Sequence, residues 1–246
     1  MLSKAQIKYI QALQHKKYRQ KSRQFTAEGD KIVQELLRDG RVLEVYATAD
    51  WVEEQQVLLA QLPSLRLEVV EPPLLKQLSA LTTPNRAMAL LDIPPAAAPG
   101  PLNGTIALAL ETIQDPGNMG TIIRIADWFG IPQIICSPDC VDAYNPKTIQ
   151  ATMGSIARVQ IIESDIIPFL QQANVASYAA TLHGRDITEF DAIKEGILLI
   201  GNESRGLSDA VLEHCTYRIT IPRLGGAESL NAAVAAGIIC GRMLLG

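Results

Sequence analysis

The sequence predicts an α/β protein of two domains, a small N-terminal α/β layer domain and a larger C-terminal domain around a mostly parallel sheet. Three observations predict it. Hydrophobic residues make up 48% of the chain but aromatics only 5%, so the cores must be Leu, Ile, Val and Ala, which suits helices on a parallel sheet better than a β-sandwich. Strand-like and helix-like segments alternate along both halves. Between the halves, Pro94-Pro95-Ala96-Ala97-Ala98-Pro99-Gly100-Pro101 is stiff, extended and unsuited to a core. The expected division is therefore 1–93, a linker over 94–103, and 104–246.

In the N-terminal half, Ser3 and Gln6 have capping-box spacing, and Ile7, Ile10 and Leu13 then recur at helical intervals. A basic segment, Lys16–Arg23, leads into Phe25-Thr26-Ala27-Glu28-Gly29. Ile32, Val33, Leu36 and Leu37 mark a second helix, with Gly40 as its C-cap. A strand over Val42–Ala47, a helix over Trp51–Gln61, a strand over Leu67–Val70, a helix over Pro73–Leu81 and a strand over Ala87–Leu91 complete the domain.

The C-terminal half restarts the alternation with a buried strand over Thr105–Leu110 and a helix over Asn118–Phe129. A strand over Gln133–Cys136, helices over Lys147–Gly154 and Ile166–Ala173, and strands over Ser177–Thr181, Gly196–Ile200 and Tyr217–Ile221 follow. A helix over Leu230–Leu244 ends the chain. Strands that run into loops leading towards helices predict a parallel sheet, which binds ligands at the carboxyl ends of its strands.

The net charge of −4 argues against a nucleic-acid partner until its distribution is considered. From Met1 to Gln24 there are seven basic side chains (Lys4, Lys8, Lys16, Lys17, Arg19, Lys21, Arg23) and no acidic one. Such an arm contacts phosphates without making the whole molecule cationic, though a solvated helix face fits the same pattern. No signal peptide and no bilayer-length apolar run is evident. The scattered cysteines Cys136, Cys140, Cys215 and Cys240 lack a matching second metal-ligand pair, so reduced thiols in a cytoplasmic protein are expected and no metal is.

Three polar loops carry the chemistry. Glu111–Gly120 follows a strand and opens a helix bearing Arg124, but has neither G-x-G-x-x-G nor G-x-x-x-x-G-K. Asn118 is a candidate helix cap there, and Arg124 a candidate phosphate or ribose contact. Gly201-Asn202-Glu203-Ser204-Arg205-Gly206 ends an apolar strand and offers backbone groups and one carboxylate to a ligand, with Ser208 placed to cap the next helix. Ile221–Asn231 stops a strand at Pro222, crosses Gly225-Gly226 and enters an Ala-rich helix through Ser229 and Asn231, with Ser229 a candidate N-cap. Ala232, Ala233, Ala235, Ala236 and Gly237 would let that helix lie close against another backbone.

Together these segments resemble the SpoU (TrmH) family of RNA ribose 2′-O-methyltransferases. The matching pieces are Asn118-x-Gly120-x-x-x-Arg124, Gly201-Asn202-Glu203-x-x-Gly206, and Ile221-Pro222 followed by Ser229-Leu230-Asn231. Asn145-Pro146-Lys147 and Met153-Gly154 also match between them. The resemblance covers Thr105 to the C-terminus. The N-terminal domain is similar to the family's substrate-binding domain, a ribosomal-protein-like RNA-binding fold, at Lys17, Arg19, Phe25, Glu28 and Gly29. It departs from it after Thr82-Thr83-Pro84, where Asn85-Arg86 stands in place of Gln-Gly.

The resemblance implies a trefoil-knotted parallel-sheet methyltransferase domain that dimerises, with the last helix in the homodimer interface. It implies S-adenosyl-L-methionine as cofactor, in a pocket lined by Thr181, Leu199, Gly201, Ile221 and Leu230. The implied catalytic set is Arg124, Asn118, Glu203, Ser229 and Asn231, and the RNA contacts are Lys17, Arg19, Arg23 and Lys147. Arg124 is the family's activator of the ribose hydroxyl. A guanidinium stays protonated, so base and electrostatic stabiliser both stand open as its role, with Glu203 the alternative base. The separate N-terminal domain favours ribosomal RNA as substrate. A tRNA 2′-O-methyltransferase and a non-catalytic RNA-binding protein of the same fold are the alternatives, and a dehydrogenase lacks its glycine fingerprint here.

Overall fold

The computed structural model describes residues 2–39, 41–83 and 85–246. The first elements are α1 (Lys4–Ala12), α2 (Lys16–Ser22), β1 (Gln24–Glu28), α3 (Asp30–Arg38), β2 (Val42–Ala47), α4 (Ala49–Glu54) and α5 (Gln56–Ala60). Then come β3 (Arg66–Val69), α6 (Pro72–Leu78), β4 (Ala87–Asp92), β5 (Ile106–Leu110), α7 (Pro116–Trp128), β6 (Gln133–Cys136) and α8 (Pro146–Thr152). The last are β7 (Gln160–Glu163), α9 (Ile166–Gln172), β8 (Ser177–Asp186), β9 (Gly196–Ile200), α10 (Asp209–Leu212), β10 (Tyr217–Thr220) and α11 (Ala232–Leu245). Gly40, the expected cap of α3, lies outside the described residues.

Two compact units are present, one of residues 1–95 with 144–157, the other of 96–143 with 158–246. The first unit holds a four-stranded sheet of order β1-β4-β2-β3, in which only β2 and β3 run parallel. The expected capping box forms at Ser3 and Gln6 and aims Ile10 and Leu13 into a core with Tyr46, Leu75, Leu78 and Met88. The strand β1 is absent from the sequence-based reading, because burial of Phe25, Thr26, Ala27 and Glu28 in succession leaves no alternation to recognise. The single helix expected over Trp51–Gln61 is interrupted at Gln55, whose backbone (φ −102°, ψ 11°) leaves the helical range.

Segment 144–157 was expected in the C-terminal domain but packs in the first unit. The Tyr144 ring lies 5.0 Å from that of Phe25, and Gln150 Nε2 donates to the Glu28 carbonyl at 2.5 Å. Gly154 (φ 96°) passes so close to α3 that an added Cβ would stand 2.7 Å from Glu35 Cβ. Glycine is required there twice over, by backbone conformation and by space.

Two first-unit arginines also differ from a freely solvated arm. Arg19, expected on RNA, is buried at 2% exposure, and its Nη1 donates to the carbonyls of Leu13 (2.8 Å) and Gln14 (2.9 Å). It satisfies carbonyls that the end of α1 leaves unpaired, so it is a structural residue. Arg86 donates to Asp30 Oδ2 (2.7 Å), Asp50 Oδ2 (3.1 Å) and Glu54 Oε1 (2.7 Å).

The Thr48 hydroxyl and Arg86 hold Asp50 below the usual carboxylate range, and Arg86 does the same to Glu54. Depressed folded-state values mean the stabilisation is present above the unfolded value and lost as pH falls through the folded one. Arg86→Met should therefore melt below the wild type at neutral pH, and the gap should close only below about pH 4 in thermal scans. A gap independent of pH would show that packing, not charge, is what Arg86 contributes.

The second unit holds six parallel strands in the order β10-β8-β9-β5-β6-β7. Ala107, Ala109, Ile135, Phe169, Leu170 and Leu199 form part of a core on one face of this sheet. α7 and α11 pack together, and Cβ atoms added at Gly237 and Gly241 would stand 3.5 Å from Ile125 and 3.7 Å from Phe129. The small residues of α11 thus meet α7. Strand β7 was not expected, since four residues with only Ile162 fully buried give little pattern. From β5 the chain moves to β6 on one side, and from β9 to β10 on the other. That reversal opens a crevice outside the strands' carboxyl ends, where the 111–120 and 201–206 loops begin.

Candidate active site

The start of α7 is built by Asp115 followed by Pro116. Asp115 Oδ1 accepts from Asn118 N at 2.8 Å, and proline at the first helical position supplies a preset φ. Asn118 is therefore not the cap, contrary to expectation, and its buried side chain is left for another task. The Asp-Pro pair was the signal in the sequence.

Asn118 Nδ2 donates to Glu203 Oε1 at 2.7 Å, and Asn118 Oδ1 accepts from Asn231 Nδ2 at 2.8 Å. One side chain thus ties α7 to the loop after β9 and to the start of α11, more than eighty residues away on either count. Asn231 also caps α11, its Oδ1 accepting from Ala233 N (3.0 Å) and Val234 N (3.2 Å). Ser229 is not that cap, because the helix begins at Ala232.

The 201–206 loop is a tight turn in which Asn202 and Gly206 exchange backbone hydrogen bonds of 3.0 and 2.8 Å. Asn202 Oδ1 accepts from Ser204 N (3.0 Å) and Arg205 N (3.2 Å), while its Nδ2 donates to the Thr112 carbonyl at 2.9 Å. Thr112 holds a left-handed backbone (φ 57°), clamped by Ser137 Oγ on its N–H and by its own hydroxyl on Asp139. Hydrogen bonds from Ser137 and Thr112 keep the Asp139 carboxyl below its ordinary range. Glu111 accepts from Ser208 N (2.7 Å) and Oγ (2.6 Å), and Ser208 caps α10 as expected. Thr112 and Glu111 were not singled out from sequence, and Asn202 was read only as part of its loop's motif. Only the meeting of strands distant along the chain gives them partners.

Arg124 is exposed and has no hydrogen-bond or ion-pair partner among the described residues. It stands six residues beyond Asn118, about 240° around the helix. Asn118 bonds to both Glu203 and Asn231, and none of the three bonds to Arg124. Arg124 instead shares a face with Thr121 and Trp128, the latter 83% exposed.

The five residues expected in a cofactor pocket lie on or just after β8, β9, β10 and the loop into α11. Thr181 Oγ1 donates to the carbonyls of His183 (3.1 Å) and Ile219 (3.4 Å), joining β8 to β10. Leu199 and Gly201 are buried, Ile221 is half-buried, and Leu230 is exposed. Ser229 is exposed and unbonded among the described residues. On the first unit Lys17 and Lys147 are exposed, while Arg23 is exposed but donates to the Pro94 carbonyl.

A cavity of about 360 Å³ also opens beside the ends of β5 and β6, lined by Glu111, Thr112, Ser137, Asp139 and Asp165 among others; none of the expected site residues lines it. Near it, Cys140 has its thiol pulled down to about 7 by the Cys136 thiol, the Ser137 hydroxyl and the Ile113 N–H. The four cysteines are free. Among the described residues, no helix is long and apolar enough to cross a membrane, and no group of three His, Cys, Asp or Glu is placed to hold a metal ion.

Comparison with known proteins matches the chain to two family models. Residues 105–241 match the model of the SpoU rRNA methylase family, and residues 4–89 that of the MRM3-like substrate binding domain. The chain is 31% identical to an uncharacterized tRNA/rRNA methyltransferase of Synechocystis, over 95% of this chain and 88% of that one. It is 27% identical to the Bacillus subtilis 23S rRNA (guanosine(2553)-2′-O)-methyltransferase RlmP, over 95% of this chain and 93% of that protein. Among solved structures, the AdoMet-bound rRNA methyltransferase of Sinorhizobium meliloti superimposes with a TM-score of 0.82 at 31% identity, covering 99% of this chain and 96% of that one. With more than half the residues inside one family model and near-complete alignment to these relatives, the chain belongs to the SpoU rRNA methylase family.

Proposed function

We infer that this protein transfers a methyl group from S-adenosyl-L-methionine to a ribose 2′-hydroxyl of ribosomal RNA. The observation that carries the reading is the chain of hydrogen bonds Glu203–Asn118–Asn231, which gathers the three polar loops into one place. Ribosomal RNA rather than tRNA is favoured by alignment over nearly the whole chain with RlmP, whose name gives 23S rRNA as its substrate. On this reading the second unit has the family's trefoil-knotted backbone and pairs with a second copy through α7 and α11. Trp128, Val234, Ile238 and Leu245 are exposed apolar side chains of these two helices that such a pairing would cover.

The residues present fit the cofactor. Leu182 in β8 and Leu224 and Leu230 in the segment between β10 and α11 are exposed, and nothing lies within 4 Å of where Cβ atoms on Gly225 and Gly226 would stand. An adenine ring and a methionine chain would cover such an apolar, open rim, with Thr181, Leu199, Gly201, Ile221 and Leu230 holding them largely through backbone groups. Bound adenosylmethionine supplies an activated methyl on a sulfonium, so no metal is required.

The protein's own residues must then hold the ribose oxygen in line and stabilise its developing charge. Arg124 is the residue for that charge: it is permanently cationic, exposed, and has no carboxylate partner among the described residues. Asn118, Glu203 and Asn231 hold the three loops to one another, and Ser229 is assigned to the ribose side. Lys17, Lys147 and, with its remaining donors, Arg23 face RNA phosphates.

Mapping ribose methylation in ribosomal RNA from cells with and without the protein tests this reading. One 2′-O-methyl position should vanish from ribosomal RNA in the deletion and return with the wild-type chain. Loss confined to tRNA would replace the substrate assignment.

A further inference from the structure

Seven basic residues precede the first acidic one, Glu28, yet they do not form a uniform cationic arm. Arg19 is consumed by the carbonyls at the end of α1, and Arg23 is tied to Pro94. On α2 this leaves Lys16, Lys17 and Lys21, all exposed and all without a partner among the described residues. Among the same residues is an aromatic pair. The rings of His15 and Tyr18 lie 6.4 Å apart at 55°, and Tyr18 is 48% exposed with its hydroxyl unbonded among the described residues.

The spacing makes this a surface with a direction. Tyr18 and Lys21, three residues apart, lie along one side of α2 with Lys17 beside them, and His15, the extended residue that precedes the helix, brings its ring against that of Tyr18. Ser22 Oγ donates to the Tyr18 carbonyl at 2.9 Å, which fixes the last turn. A merely solvated helix face would interleave carboxylates with its lysines, and this segment has none. A lipid-facing helix would add aliphatic side chains to that side, and it has none of those either. Aromatic faces among unpaired lysines match a strand of nucleic acid, whose bases stack and whose phosphates lie to either side.

We propose that His15 and Tyr18 form a stacking platform for an unpaired base of the RNA substrate, with Lys17 and Lys21 on the flanking phosphates. The proposal rests on the RNA-methyltransferase reading above and adds to it the form of RNA the first unit selects. A base inside an A-form duplex has both faces covered, so the platform takes single-stranded or looped RNA and discriminates against a continuous duplex.

The test is equilibrium binding of the full chain to a fluorescent single-stranded RNA oligonucleotide of mixed sequence and to an RNA duplex of the same length. Tyr18→Ala should weaken single-strand binding about tenfold and leave duplex binding unchanged, because stacking on one aromatic is lost. Tyr18→Phe should bind like the wild type, since the face and not the hydroxyl is used. Lys17→Ala and Lys21→Ala should each lower the salt dependence of binding by about one phosphate contact. Unchanged affinity in Tyr18→Ala, equal losses on both RNAs, or no single-strand binding by the wild type would each overturn the platform. Methyl transfer is measured alongside: at saturating ribosomal RNA, Tyr18→Ala should keep the wild-type kcat with a raised KM. A wild-type chain that binds the oligonucleotide but methylates no RNA would overturn the methyltransferase reading and leave the platform standing.

Discussion

Arg124→Ala should lower methyl transfer by about 10²–10³-fold, the cost typical of removing one group that stabilises developing charge. Adenosylmethionine binding, read by calorimetry, should stay near the wild-type value, because Arg124 is not among the residues assigned to the cofactor and bonds to none of them. Arg124→Lys separates two forms of that stabilisation: a point charge should be partly replaced by an ammonium, whereas bidentate guanidinium geometry should not. Near-normal turnover in Arg124→Ala would remove the residue from the mechanism. Loss of cofactor affinity in step with turnover would reassign it to binding.

Gly201→Ala should be the most damaging single methyl group in the second unit. An added Cβ would lie 2.2 Å from the Gly206 carbonyl carbon and 2.3 Å from Leu207 N, both backbone atoms that cannot swing aside. To relieve the overlap the Asn202–Gly206 turn must open, which releases Asn202 from Thr112 and Glu203 from Asn118. Overpacking of this kind costs about 1–3 kcal/mol, and methyl transfer should fall below detection even in the fraction that stays folded. Thermal unfolding and an activity assay on the folded fraction check both parts. A variant with wild-type stability and activity would show that the turn is not held closed by Gly201.

Much of the second unit was legible because its central strands are buried along their length and its loops carry paired polar residues. Ile106–Leu110 and Gly196–Ile200 are fully buried along their length, and buried strands announce themselves by composition. The polar loops stood out for the converse reason, as amides and carboxylates set directly after such strands. What sequence could not supply were meetings at a distance. Asn118 looked like a cap because its partners, Glu203 and Asn231, lie 85 and 113 residues away. Arg19 looked like an RNA ligand because nothing local shows that the end of α1 turns its carbonyls onto the side chain. The 144–157 segment reads as part of the second domain by order alone, and only Tyr144, Gln150 and Gly154 against β1 and α3 place it in the first unit.

The central claim is that the methyl group goes to a ribose oxygen. It is tested most directly by incubating the full-length protein with methyl-labelled adenosylmethionine and ribosomal RNA lacking its modification, then digesting the product with alkali. A 2′-O-methyl group removes the hydroxyl that attacks the neighbouring phosphodiester, so that bond survives. The account predicts label in alkali-resistant dinucleotides, lost in Arg124→Ala. Label recovered in mononucleotides would place the methyl group on a base and contradict it.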